Sequence, residues 1–258
     1  MGPQTRAALQ AFQVRSHLPK TGELDALTKE ALSLTNPPCS TYTITSNDLA
    51  RLQPLSSTWL GKSQQSALEF ETLLEFLAEK AQAHPNLVRQ LNPSIDWTNL
   101  HDGVATKLPD VTWATEKLRA AFLVIHLADR TLEAFDSGTN LIAHFPCSIA
   151  KRVDKRPVGE LQIAVVAPNP NYTFDPEIFP ESSEARKIKT KLVLPPGPNN
   201  PVGVAWIGLD KPGYGIHGTP NPEQVGRTES HGCFRLANWN AEFLLRIVTL
   251  GTPVYVEP

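Results

Sequence analysis

Residues 215–240, GIHGTPNPEQVGRTESHGCFRLANWN, set His217 and His231 around Cys233 in a chain with only seven histidines and three cysteines. Four glycines fall in the same stretch. Three chemistries compete for such a segment. His217, His231 and Cys233 would supply three ligands to a metal ion, and His231 and Cys233, two apart, point the same way in an extended chain. No second cysteine lies nearby and no acidic residue has ligand spacing, which weighs against metal. A buried structural cysteine is the plain alternative, because free cysteines are commonly core residues; flanks of histidine and glycine weigh against that. A nucleophilic thiol accounts for more of the segment. His217 and His231 are both candidate bases for it. Gly232 permits close approach to a substrate. The Gly232–Cys233 turn aims backbone N–H groups at one point, as an oxyanion site requires, and Ser230 is placed to bond within that turn. Arg235 brings positive charge suited to a carboxylate-bearing substrate.

Working outward, the 258 residues allow two or three domains. Apolar residues make up 41%, enough for a real core, while 19% charged residues and 23 prolines favour a loop-rich, β-leaning protein. A net charge of −2 gives no electrostatic reason to expect nucleic acid or an anionic membrane as partner. No apolar run approaches the length of a membrane span. The N-terminus lacks the apolar segment of a secretory leader, so an envelope protein would here be without its export signal. Three cysteines cannot all pair within the chain. Pairing of Cys39 with Cys147 would need an oxidising compartment and a meeting across predicted domains.

Along the chain, residues 1–34 read as two short helices, one with Ala8, Leu9 and Phe12 on a face, the other with Leu24, Leu27 and Ala31 inward. Residues 35–40, TNPPCS, read as a linker. Residues 41–111 begin with the strand TYTIT, pass through about 20 polar residues, continue as two helices ending at Asn92-Pro93, and close on a strand at GVATKLPDV. From 112 to 258 short strands and turns dominate, with one helix, NAEFLLRIVTL, capped by Asn238 or Asn240 and lined by Leu244, Ile247 and Val248. The fold class expected is therefore α+β and multidomain, with a mainly-β, sandwich-like or barrel-like C-terminal domain. Trp206 and Tyr214 flank the approach to His217, where they either line a groove or fill the core. Asn199, Asn200 and Pro201 read as a structural turn, KRVDKR at 151–156 as a solvated loop, and His126 and His144 as ordinary histidines on strands.

Three resemblances refine this reading. RPVGEL, LPPGPNNPVG, GIHGTPNP, VGRTESHGCFRLAN and GTPVYV together resemble the L,D-transpeptidase catalytic domain of the YkuD type over about residues 118–256. The resemblance implies that Cys233 is the nucleophile and His217, sixteen residues before it, the proton donor and acceptor. It places Ser230, His231 and Gly232 in the nucleophile turn and Gly218, Thr219, Tyr214 and Arg235 at the substrate, and it implies no cofactor and no metal. GPQTRAALQAFQVRSHLPKTGELDALTKEAL resembles the C-terminal two-thirds of a type 1 peptidoglycan-binding domain, a family with another helix before this point, so Met1 looks like an internal position. Tyr42-Thr43-Ile44, Leu91-Asn92-Pro93 and Lys107-Leu108-Pro109 resemble the landmarks of a LysM module that carries an insertion and lacks the usual Gly-Asp-Thr turn.

The partners implied are peptidoglycan stem peptides and glycan strands, in the periplasm or outer wall. Release of D-alanine from a tetrapeptide stem through a Cys233 thioester would be followed by transfer to an acceptor amine, that of a second stem or of an envelope lipoprotein. With water as acceptor the enzyme would be an L,D-carboxypeptidase; with no chemistry at all, a wall-binding protein. The N-terminal segments are expected to hold the chain on the wall without being needed for the reaction.

Overall fold

The computed structural model describes residues 1–34, 36–111, 117–178, 183–226 and 232–258. The chain opens with helices α1 (Pro3–Arg15) and α2 (Ala26–Ala31). Pro3 occupies the first turn of α1, where its missing N–H costs nothing. Asp25 caps α2 by accepting from the Thr28 N–H. The apolar contact expected between these helices is not what joins them. Leu24 and Leu27 are 43% and 55% exposed, and Ala31 is exposed as well. Ala8 is exposed on α1, and Leu9 and Phe12 are only partly covered. A six-residue α2 has too few turns to carry an apolar stripe. Gln13, fully buried, does the joining. Its amide nitrogen reaches Thr21 Oγ1, the Glu23 carbonyl and Thr28 Oγ1, and its carbonyl accepts from the Gly22 N–H.

The next unit keeps the outer strands and the two helices of the expected strand–helix–helix–strand order, with two further short helices before them. Strand β1 (Cys39–Thr43) pairs antiparallel with β2 (Ala105–Pro109). Between them lie α3 (Ser46–Leu49), α4 (Trp59–Ser63), α5 (Leu73–Lys80) and α6 (Pro85–Leu91). Leu73, Phe76 and Leu77 face inward at helical spacing and meet Ile44, Val88 and Leu108 in one core. Asn92, the C-cap of α6, donates to the Lys107 carbonyl and accepts from its N–H, tying that helix to β2.

The remaining chain builds one large sheet. Its strands are β3 (Phe122–His126), β4 (Thr131–Phe135), β5 (Leu141–Pro146), β6 (Gly159–Pro168), β9 (Ala205–Leu209), β10 (Gly215–His217), β11 (Phe234–Arg235) and β12 (Pro253–Glu257), while β7 (Tyr172–Phe174) and β8 (Leu192–Leu194) form a separate hairpin. The sheet order is β11-β10-β9-β6-β12-β3-β4-β5. Its two ends do not stay apart. Ser148, just past β5, exchanges both backbone hydrogen bonds with Arg235 on β11. The sheet thus curls until its edges meet, which removes both free edges at that point and supplies the sandwich-like layering from a single sheet. Helix α7 (Asn238–Ile247) packs Ala241, Leu244 and Ile247 into the core with Leu123, Ile207, Ile216 and Phe234. No asparagine caps it: Ala237 holds the N-cap position, and Asn238, the first helical residue, uses its carboxamide elsewhere. His126, Glu133 and His144, read as ordinary histidines and an unremarked acid, form a bridged row, with Glu133 3.3 Å from each ring. The two hydrogen bonds hold the Glu133 carboxyl down to about 2.

The strand–helix–helix–strand unit and the sheet share a seam, which departs from the expectation of separable modules. The roughly 20-residue insertion that spoils the sequence pattern is what makes the contact. Leu68, 0% exposed, packs with Phe174, Ala185 and Leu194. The ring of Trp59 stacks on Phe174 at 4.4 Å, and the backbone N–H of Trp59 donates to Glu184 Oε1 at 2.7 Å. Leu68 N–H donates to the Pro196 carbonyl, and Asn199 N–H donates to the Leu68 carbonyl. Gly197, at φ +143°, lies so close that a Cβ there would sit 2.2 Å from the Leu68 oxygen. Asn199 therefore belongs to the seam, and its amide also donates to Glu75, while Asn200 is buried in the turn and bonds the Pro195 carbonyl at 2.8 Å.

Leu68→Ala should lower stability by about 3 kcal/mol, read as a fall in the urea midpoint, with both units still unfolding in one calorimetric transition. Two separated transitions in the unsubstituted protein would contradict a common core at the seam.

Candidate active site

The short strands β10 and β11 run parallel, with Ile216 opposite Phe234 and His217 opposite Arg235. On the other side β9 runs antiparallel, with Trp206 opposite His217. Directly opposed residues share a face of a sheet, and so do residues two apart. Trp206, His217 and Arg235 therefore form one row across three strands, and Cys233, two residues before Arg235, stands on the same face. The rings of Trp206 and His217 stack at 5.7 Å with a 26° interplanar angle. The structure thus turns Trp206 toward the candidate base.

His217 is 4% exposed. Its Nδ1 lies 2.6 Å from the Gly218 carbonyl oxygen. A carbonyl only accepts, so Nδ1 carries the proton and Nε2 keeps the lone pair. Burial drives the imidazole pKa down to about 4, with the Arg235 charge adding to that and the Gly218 bond opposing it. The ring is a neutral base at neutral pH.

Cys233 is half-buried, with its Sγ 3.5 Å from the Gly213 carbonyl. Burial pushes the thiol up, while a backbone hydrogen bond at Gly215 and the Arg235 charge pull it back. Desolvation therefore outweighs the Arg235 charge, and the resting sulfur is a thiol at neutral pH. Cys147, also a free thiol, is buried in the sheet core and pushed further up by desolvation alone. Cys39 lies on β1 as a free thiol, so the pair considered for a disulfide is not bonded.

Arg235 has a buried Nε without a hydrogen-bond partner among the described residues. Burial works against its charge, which the Cys233 and Tyr172 groups favour. Tyr172, on the β7–β8 hairpin, lies within electrostatic reach of both Cys233 and Arg235: burial raises its hydroxyl pKa, the Cys233 charge adds to that, and Arg235 opposes it. No sequence pattern pointed to Tyr172, because it lies 61 residues before the cysteine and reaches it only through the hairpin's fold.

The other expected site residues separate into two groups. Tyr214 borders the cysteine turn, its ring 3.9 Å from where a Gly232 Cβ would stand, with Lys211 Nζ 5.1 Å from the ring centroid. Gly218 and Thr219 are buried behind His217. Thr219 Oγ1 accepts from the Asn221 N–H, and a Cβ on Gly218 would sit 2.3 Å from Asn238 Oδ1. Ser230 and His231 lie outside the described residues, as does the ligand set His217, His231, Cys233 taken as a whole. Among the described residues no group of three or more His, Cys, Asp or Glu side chains is arranged to hold a metal, and no helix is long and apolar enough to cross a membrane.

Comparison with known proteins identifies the class. The L,D-transpeptidase catalytic domain profile, YkuD, matches residues 120–256, and a peptidoglycan-binding domain profile matches residues 1–32. The chain belongs to the L,D-transpeptidase family. Neither profile extends over the strand–helix–helix–strand unit. A Bacillus licheniformis protein named as L,D-transpeptidase YkuD is 27% identical over 72% of this chain and 93% of its own. Bacillus subtilis YqjB, named as an L,D-transpeptidase, is 32% identical over 43% of this chain and 57% of its own. Escherichia coli YbiS, likewise named, is 27% identical over 70% and 58%. The chain thus spans nearly all of the first and under three-fifths of the other two. Among solved structures, an L,D-transpeptidase from Mycobacterium smegmatis aligns over 60% of this chain and 64% of its own, at 19% identity and a TM-score of 0.43.

An NMR titration of His217 should give a midpoint near 4, well below the usual 6.5. Below that midpoint the ring is protonated and cannot accept the thiol proton, so activity should fall on the acid side only as pH drops toward 4. A midpoint near 6.5 would mean that the ring is solvated.

Proposed function

We propose that this chain is a peptidoglycan L,D-transpeptidase that carries its acyl intermediate on Cys233 and uses His217 as base and acid. The observation that carries the proposal is the shared face of Cys233, His217 and Arg235, with the lone pair of His217 confined to Nε2. Because the resting pair is neutral, the proton moves as the sulfur attacks and no ion pair is stored beforehand. Cys233 attacks the carbonyl of the third residue of a tetrapeptide stem and passes its proton to His217 Nε2. The bond to the terminal D-alanine breaks, His217 protonates the departing amine, and a thioester remains. An acceptor amine then attacks the thioester, giving a proton to His217 and a cross-link as product, and the thiol is restored.

Arg235 is suited to hold a substrate carboxylate beside the sulfur, since its buried Nε has a bond to give. Tyr172, Trp206 and Tyr214 border the same cleft and give it an apolar rim with hydroxyl ends. The match of residues 1–32 to a peptidoglycan-binding domain supports a wall substrate in the cell envelope. Sugar binding by the strand–helix–helix–strand unit belongs to the same reading.

Cys233→Ser should reduce D-alanine release from a tetrapeptide muropeptide by at least about 10³-fold with an unchanged melting temperature. Chromatography of the products assigns the acceptor: a cross-linked dimer marks a second stem, and a free tripeptide stem marks water. Turnover retained in Cys233→Ser would end the proposal.

A further inference from the structure

Asn238 stands behind the candidate base. It is 2% exposed. Its Oδ1 accepts from the Val204 N–H at 3.3 Å. The same oxygen lies against Gly218 and Gly203, where added Cβ atoms would come within 2.3 and 2.0 Å of it. Gly218 is therefore wedged: its N–H donates to the Ala205 carbonyl, its Cα meets the Asn238 carboxamide, and its carbonyl holds His217 Nδ1. The orientation of the amide of Asn238 fixes where that carbonyl points.

Two acceptors fix the amide in turn. Asn238 Nδ2 donates to the Pro198 carbonyl at 3.0 Å and to Glu79 Oε1 at 2.9 Å. Glu79 belongs to neither the sheet nor its helix. It lies in the last turn of α5, across the seam, on the wall of a cavity of about 840 Å³ shared with Trp239 and Glu242. The placement is unfavourable by itself. A charged carboxylate near a helix C-terminus would oppose the helix dipole. Desolvation also pushes the Glu79 carboxyl up to about 8; the Asn238 bond opposes this, and Glu75 and Glu242 add to it. An alanine or leucine there would suit α5 better, so the contact with Asn238 is what the side chain provides.

We propose that Glu79 is a positioning residue for His217, acting from the strand–helix–helix–strand unit through Asn238 and the Gly218 carbonyl. The N-terminal unit then contributes to the reaction centre itself and is more than a tether. The proposal rests on the assignment of His217 as base. It makes Asn238, a sequence candidate only for a helix cap, the relay between the two units.

The test compares the full chain with Glu79→Ala and Glu79→Gln. In Glu79→Ala the Asn238 amide keeps the Pro198 carbonyl as acceptor, so that variant should fold; Glu79→Gln keeps an acceptor oxygen for Asn238 at equal size. Nitrogen-15 spectra of the histidine ring at pH 7 read the tautomer directly. The unsubstituted protein and Glu79→Gln should show His217 protonated at Nδ1 alone. Glu79→Ala should show a mixture of tautomers and a kcat about tenfold lower, with KM within about twofold and an unchanged melting temperature. A single Nδ1–H tautomer in Glu79→Ala overturns the proposal, and so does a loss in Glu79→Gln equal to that in Glu79→Ala. If the unsubstituted chain releases no D-alanine, the proposed function fails, and the tautomer still decides the role of Glu79.

Discussion

Strand β11 is two residues long, and both its edges are bonded. Phe234 and Arg235 pair with β10 on one side, and Arg235 exchanges hydrogen bonds with Ser148 on the other. Those bonds close the curl of an eight-stranded sheet and set the register that puts Arg235 opposite His217. They also fix the direction of the chain as it leaves Cys233, so the sulfur rises on the same face as the imidazole. Phe234, 1% exposed, points the other way into the core. The alternation of a strand thus gives Cys233 and Arg235 to the cleft and Phe234 to stability. A slip of one residue would exchange them and lose both.

Burial governs the chemistry of that cleft. Desolvation lowers the basicity of His217 and raises the pKa of Cys233, so each stays neutral until a substrate arrives. A neutral thiol resists oxidation and adventitious alkylation better than a thiolate does. Among the described residues Arg235 is the charge that bears on both groups, and its sign favours a thiolate over a thiol at Cys233. Burial of the two groups strengthens that charge effect. The β7–β8 hairpin that brings Tyr172 is held in turn by Trp59 stacking on Phe174. The cleft therefore depends on a segment from outside the sheet.

Much of this was legible from residue order. The spacing of His217 and Cys233, the alternation of residues 122–146, the strand–helix–helix–strand order and the inward stripe of α7 all follow from local patterns. The illegible parts share one cause: they depend on contacts between distant segments. Tyr172, Trp59 and Glu79 carry no motif, and each gains its role from a partner more than 60 residues away. Asn238 looked like a cap because Asn before a helix usually is one; its partners at Glu79, Pro198 and Val204 are invisible in one dimension. The pKa directions were out of reach for the same reason, since a neighbouring histidine can be read from sequence and desolvation cannot. Leu24 and Leu27 mark the opposite error, where helical spacing predicted burial and a buried glutamine joins the helices instead.

The claim on which the account turns is that Cys233 carries an acyl group, with its proton passing to a neutral His217. Intact-mass analysis of the protein mixed with a tetrapeptide muropeptide and quenched in acid tests it most directly, followed by peptide mapping. The account predicts an adduct equal to the donor minus D-alanine, located on Cys233, which forms in the unsubstituted protein and fails to form in His217→Ala at pH 7. An adduct on another residue, or one that forms equally fast without His217, would contradict it.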